Sequence, residues 1–145
     1  MKILHTSDWH LNERQGHVDR QPDIVKRLEE IAGYLDQHQV DVMLVSGDLF
    51  ANTVRLDQAR SAFADVSRIF RPFLLRGGTM IVIGGNHDSE DLFNMCRTAM
   101  ELAAPQEASA DKPKLSGRLY LYDRSAYMPL ANRSGGLVHS VLLPY

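Results

Sequence analysis

Short apolar runs, each followed at once by polar or glycine-rich sequence, set the rhythm of most of the chain. Ile3-Leu4-His5-Thr6 runs into Ser7-Asp8-Trp9-His10, and Val42-Met43-Leu44-Val45 into Ser46-Gly47-Asp48-Leu49-Phe50. Met80-Ile81-Val82-Ile83 runs into Gly84-Gly85-Asn86-His87-Asp88. Runs this short, rich in β-branched residues, read as buried strands. Between them the apolar spacing turns helical. Ile24, Leu28, Ile31 and Leu35, widened by Val25 and Ala32, predict a helix from Pro22 to about Gln37. Ala59, Phe63, Val66 and Phe70 predict a second helix, started by Asn52 or Thr53. Pro72 should kink or end it, and Gly77-Gly78 stops any continuation. Ser89 as N-cap, with Glu90 and Asp91 in the first turn, opens a third helix with Leu92, Phe93, Cys96 and Met100 on its apolar stripe. Leu11 to Gln21 is polar and aperiodic and reads as a surface loop beside the strand ends.

Strand and helix in alternation predict an α/β fold with parallel strands and right-handed crossovers. The rhythm changes after Ala104. Ala104 to Lys114 is aperiodic and reads as a loop, Leu119 to Tyr122 as a strand. Tyr127 to Leu130 and Leu137 to Leu143 read as a hairpin around Asn132-Arg133-Ser134-Gly135-Gly136. That strand pattern stops abruptly at Pro144-Tyr145, which leads us to expect a chain truncated at its C-terminus.

At 145 residues the chain is one domain's worth, 44% hydrophobic and 23% charged, as in a soluble globular fold. No apolar run approaches the ~20 residues that span a bilayer, and no signal peptide is visible. One cysteine, Cys96, excludes an intramolecular disulfide framework and fits a reducing cytoplasm. A net charge of −2 speaks against a globally basic nucleic-acid binder, but a nuclease needs only a local basic channel.

In an open α/β sheet the carboxyl ends of the strands carry the ligand site, so the three loops should converge on one rim. Two aspartates, two histidines and an asparagine there make a divalent-metal site suited to Mn²⁺, Mg²⁺, Fe²⁺ or Zn²⁺. A bridging carboxylate can hold two ions ~3.5–4 Å apart, the arrangement used in phosphoester hydrolysis. Asp48, from the middle of the three strand ends, is the candidate bridge. Asn86 can act as a ligand, which leaves His87 as general acid or charge stabiliser. Asp88 either orients the His87 imidazole or stabilises a turn. One such loop would be ordinary strand-end capping; three with this ligand set are not. His5 reads as a satisfied histidine in or near the core, His17 and His38 as solvated, His139 as a strand residue and Cys96 as core. Trp9 fits either core or substrate groove. Arg14 and Arg20 are candidate phosphate contacts on a solvated loop.

Asp8-Trp9-His10, Gly47-Asp48 and Gly85-Asn86-His87-Asp88, in that order behind strands, resemble the first three motifs of calcineurin-like metallophosphoesterases. The sequence around them resembles the SbcD-type nuclease subunits of bacterial double-strand-break repair, from Met1 to about Met100 and weakly at Leu142 to Tyr145. The resemblance implies the N-terminal half of a four-layer α/β/β/α sandwich. It implies that Asp8 and His10 hold one metal, that Asp48 bridges, that Asn86 holds the second and that His87 is catalytic. It also implies a manganese-dependent DNA exo- and endonuclease, a homodimer and an SbcC-type ATPase partner. Two departures stand out. Asn12 replaces the family's glycine, and the later histidines, one isolated and then a Gly-His-x-His, have no counterpart after Asp88.

Two other functions remain open. A relative hydrolysing small phosphoesters or cyclic nucleotides would share the same core. A binding or assembly module with half a metal site would explain the missing histidines. A protein phosphatase fits poorly, because Leu49-Phe50-Ala51 follows Gly47-Asp48 where those enzymes carry Asp-Arg-Gly.

Overall fold

The computed structural model describes residues 1–51, 54–88, 90, 91, 93, 94, 96, 119–131 and 137–144. Four strands form one parallel sheet: β1 (Ile3–Thr6), β4 (Val42–Ser46), β5 (Thr79–Ile83) and β6 (Leu119–Tyr122), in the spatial order β1-β4-β5-β6. The register aligns Thr6 with Val45, and Val45 in turn with Val82, so the carboxyl ends lie side by side. The expected parallel α/β sheet is present, with β4 between β1 and β5.

Helices α1 (Gln21–Gln37) and α2 (Leu56–Leu75) pack on one face of the sheet. Leu28 and Leu35 of α1 and Ala59, Ala62, Val66, Ile69, Phe70 and Phe73 of α2 bury against Met43, Val45, Met80 and Val82. Burying one such aliphatic or aromatic side chain contributes ~1.5–3 kcal/mol, so this layer is the main anchor of the sheet. Pro72 does not end α2. It lies near the C-terminus, where the helix runs on to Leu75 before Gly78 N–H bonds back to Phe73 C=O at 3.0 Å.

On the other face lies an antiparallel hairpin of β7 (Ala126–Ala131) and β8 (Leu137–Leu142). Leu130 and Leu142 pack there against Val42 and Ile81. Helix, sheet and hairpin therefore stack as layers, in keeping with the layered fold expected. The outward side of the hairpin carries Tyr127, Val141 and His139, the last stacked on Tyr127 with ring centroids 5.7 Å apart. His139 is thus a strand residue, as the sequence suggested.

The stretch expected as a loop after β1 instead holds a small antiparallel ribbon, β2 (Arg14–Gln15) and β3 (Val18–Asp19). Two-residue strands carry no readable periodicity. Glu90, Asp91, Phe93, Asn94 and Cys96 are helical, with Phe93 and Cys96 buried in the core. The predicted caps Asn52, Thr53 and Ser89, the stripe positions Leu92 and Met100, the loop 104–114, the hairpin turn 132–136 and Tyr145 lie outside the described residues.

Candidate metal centre

Strand pairing continues past the strand ends and brings the first two loops together. Asp8 N–H donates to Gly47 C=O at 3.2 Å, His10 N–H to Asp48 C=O at 3.0 Å and Leu11 N–H to Leu49 C=O at 2.9 Å. Leu11 and Phe50 form a parallel bridge beyond β1 and β4. Apolar neighbours act as anchors. Trp9, Leu11, Leu49 and Phe50 are buried, and Trp9 stacks on Phe70 at 5.5 Å. Alternation along these loops turns Trp9 and Leu11 into the core and leaves Asp8 exposed and His10 half-buried at the rim. Trp9 is a core residue, which resolves the choice left open by the sequence.

The backbone is held in an unusual conformation here. Asp8 (φ 57°), His10 (φ 45°), Asn12 (φ 64°) and Asp48 (φ 52°) are all left-handed. Non-glycine residues rarely adopt this region, and such strain gathers at functional sites. Asn12 explains one departure from the family pattern. It occupies a left-handed position that glycine fills without cost, and asparagine tolerates it better than most side chains. It is fixed further by its N–H to Gln21 Oε1 at 2.8 Å and its Nδ2 to Gln58 C=O at 3.0 Å.

The third loop locks onto the second. Gly47 N–H bonds to Ile83 C=O at 2.9 Å, and His87 N–H donates to Asp48 Oδ1 at 3.1 Å. Gly85 lies so close to Asp48 that a Cβ on it would fall 2.2 Å from Asp48 Oδ1 and 2.3 Å from its backbone N. Asp88 uses both carboxylate oxygens on backbone: Oδ1 accepts from Phe50 N–H at 2.9 Å, and Oδ2 from Leu49 and Gly85 N–H at 3.1 and 2.9 Å. The turn-stabilising alternative for Asp88 is therefore the geometry observed.

Asp8, His10 and Asp48 place one ligand atom each within 4.8 Å of one another, and so could hold a metal ion. Asp48, only 9% exposed, is the sole buried acidic residue among the described residues. Its Oδ2 stands 3.9 Å from His10 Nε2 and 3.9 Å from His87 Nε2. That is too long for hydrogen bonds. It matches the ~3–4 Å between two ligands that each sit ~2.1 Å from a shared ion. The donor set of carboxylates and imidazole suits a divalent first-row ion. His87 borders this cluster, its ring centroid 5.4 Å from that of His10, and Asn86 lies exposed in the same turn.

His5 departs from the sequence reading. It is exposed, because β1 is an edge strand of the described sheet, yet its Nε2 pairs with Ser46 Oγ at 2.8 Å. His17 and His38 are exposed as expected.

Comparison with known proteins agrees with this geometry. A family model described as calcineurin-like phosphoesterase matches residues 1–145. The D subunit of nuclease SbcCD from Escherichia coli K12 is 33% identical over 100 residues, covering 69% of this chain and 24% of that protein. Its counterpart in Bacillus subtilis is 32% identical over 102 residues, covering 63% of this chain and 23% of that protein. The matched region thus spans about a quarter of these relatives' length. No helix among the described residues is long and apolar enough to cross a membrane. The chain belongs to the calcineurin-like phosphoesterase family.

Proposed function

We propose that this chain carries the first part of a two-metal phosphodiesterase site acting on DNA, in the manner of an SbcD-type repair nuclease. The observation that carries the reading is the position of Asp48 Oδ2, equally far from His10 and His87 and clustered with Asp8. Asp8 and His10 hold one ion, Asp48 bridges and Asn86 holds the second. Manganese suits the mixed oxygen and imidazole donors. Bound divalent ions polarise the phosphoryl oxygens and lower the pKa of a bound water. Within the chain, His87 N–H fixes Asp48 Oδ1, which leaves Oδ2 as the bridging atom. The His87 imidazole, beside the cluster, protonates the departing oxygen or neutralises charge on the phosphoryl group. Asp88 holds the second and third loops together, so the donors are positioned before any ion arrives.

DNA as substrate is supported by relatives named as nuclease subunits. The same likeness supports an SbcC-type ATPase partner, a homodimer and a cytoplasmic, DNA-repair setting. A second reading, a binding or assembly module, is favoured by one feature: no Gly-His-x-His follows Asp88.

Calorimetric titration with Mn²⁺, paired with hydrolysis of bis(p-nitrophenyl) phosphate, decides between them. Two bound ions with turnover lost in His87→Ala is the expected result. One weak ion with no turnover would overturn the enzymatic reading for this chain.

A further inference from the structure

A groove of about 470 Å³ leaves the metal centre on the Asp8 side and runs along the N-terminal half of α1. Arg20, Lys26 and Arg27 line it, with Asp23 among them. Three cations thus face two carboxylates, and one of those, Asp8, belongs to the metal cluster. The remaining carboxylate, Asp23, sits 3.4 Å from Arg20 Nε. Arg27 pairs only with Glu30 on the exposed helix surface, and Lys26 has no ion pair among the described residues. Exposed pairs of this kind are weak and exchange partners readily. The first turn of α1 also lines the groove, and Arg20 at its N-cap makes no side-chain capping bond, so the helix dipole adds positive potential there.

The length of this surface discriminates between substrates. Arg20 and Arg27 are two turns apart, roughly 10 Å along the helix axis. One phosphate at the metal centre cannot engage a surface that runs so far from it, whereas a chain of phosphodiesters can. We infer that this groove holds the phosphate backbone of a polynucleotide strand flanking the scissile phosphate, with Lys26 and Arg27 as its contacts. The inference rests on the phosphodiesterase reading above and narrows it to a polymeric substrate. These contacts carry charge and no base edges, so they bind the strand without reading its sequence.

The test is binding of a fluorescein-labelled single-stranded 20-mer in EDTA over a series of salt concentrations. The charge-removal variant is Lys26→Ala/Arg27→Ala. A control, Arg60→Ala/Arg71→Ala, removes the same charge from exposed positions of α2 outside the groove. The slope of log K against log salt should become shallower by roughly 0.7 per lost contact in the groove variant and stay unchanged in the control. Equal slopes in all three proteins, an equal change in the control, or no measurable binding by the wild type overturns the inference. Manganese-dependent hydrolysis of bis(p-nitrophenyl) phosphate by the wild type is measured alongside and tests the site by itself. Hydrolysis with equal slopes leaves the phosphodiesterase reading standing and removes the groove. A changed slope without hydrolysis supports the groove as a polynucleotide surface and removes the phosphodiesterase reading.

Discussion

The Asp88 carboxylate accepts the backbone N–H of Phe50 at 2.9 Å, across 38 residues of sequence. With its further bonds to Leu49 and Gly85, this one side chain ties the loop after β5 to the loop after β4. Charge-assisted bonds to partly buried N–H groups contribute more than neutral ones, and removing the acceptor leaves the donors unsatisfied. Asp88→Ala should therefore cost about 3 kcal/mol of stability, with the metal cluster loosened as well. Urea unfolding of the two proteins checks the first part, and Mn²⁺ affinity the second. A loss below ~0.5 kcal/mol would show that the loops are held by something else.

Gly85 makes the complementary argument from space. A methyl group there collides with the Asp48 carboxylate and backbone together, so Asp48 must move. Gly85→Ala should cost ~1–3 kcal/mol as an overpacked site. It should also weaken Mn²⁺ binding by more than tenfold, because the displaced oxygen is the candidate bridge. Unchanged Mn²⁺ affinity would mean that Asp48 is not a ligand.

His10 and His87 stand equally far from Asp48 Oδ2 but are assigned different work. His10→Ala should lower Mn²⁺ stoichiometry. His87→Ala should keep the stoichiometry and reduce turnover of bis(p-nitrophenyl) phosphate by ~10²–10⁴-fold. Calorimetry and kinetics on the same two preparations separate the roles, and a loss of metal in His87→Ala would make it a ligand instead.

Asn12 carries a left-handed backbone at φ 64°. A β-branched residue pays ~1–2 kcal/mol for that conformation, so Asn12→Val should destabilise by at least that amount. Asn12→Gly removes the backbone cost but also the Nδ2 bond to Gln58 C=O, and should fall within ~0.5 kcal/mol of the wild type. Thermal unfolding of both variants measures the contrast. Equal losses would locate the cost in the side-chain bond.

Burial pushes the Cys96 thiol above its ordinary pKa. The folded state therefore keeps its proton at a pH where the unfolded chain releases it. This contribution to stability is complete below the unfolded thiol pKa and fades as pH rises through the folded one. Native protein should react with Ellman's reagent at least tenfold more slowly than urea-unfolded protein at pH 8. Equal rates would place Cys96 at the surface.

The sequence by itself determined the strands, the two long helices and the identity of the three loops that share one rim. These depend on local properties. Apolar runs of four or five residues, a stripe at Ile24, Leu28, Ile31 and Leu35, and glycines behind Ile83 each need only near neighbours to be legible. The end of α2 was less so, because Pro72 in a last turn costs little where the carbonyls are already leaving the ladder.

Tertiary structure alone decided the rest, since the deciding partners are far apart in sequence. Asp88 bonds to the backbone of Leu49 and Phe50, which no side-chain pattern reveals. Trp9 joined the core because Phe70 of α2 lies under it. Arg20 moved from a solvated loop to the wall of a groove because α1 begins there, facing Asp8. His5 stayed exposed because β1 has no neighbour on its outer side among the described residues. Residue type decides what chemistry a position can offer, whereas the packing of distant segments decides which groups meet, how dry they are and what they face.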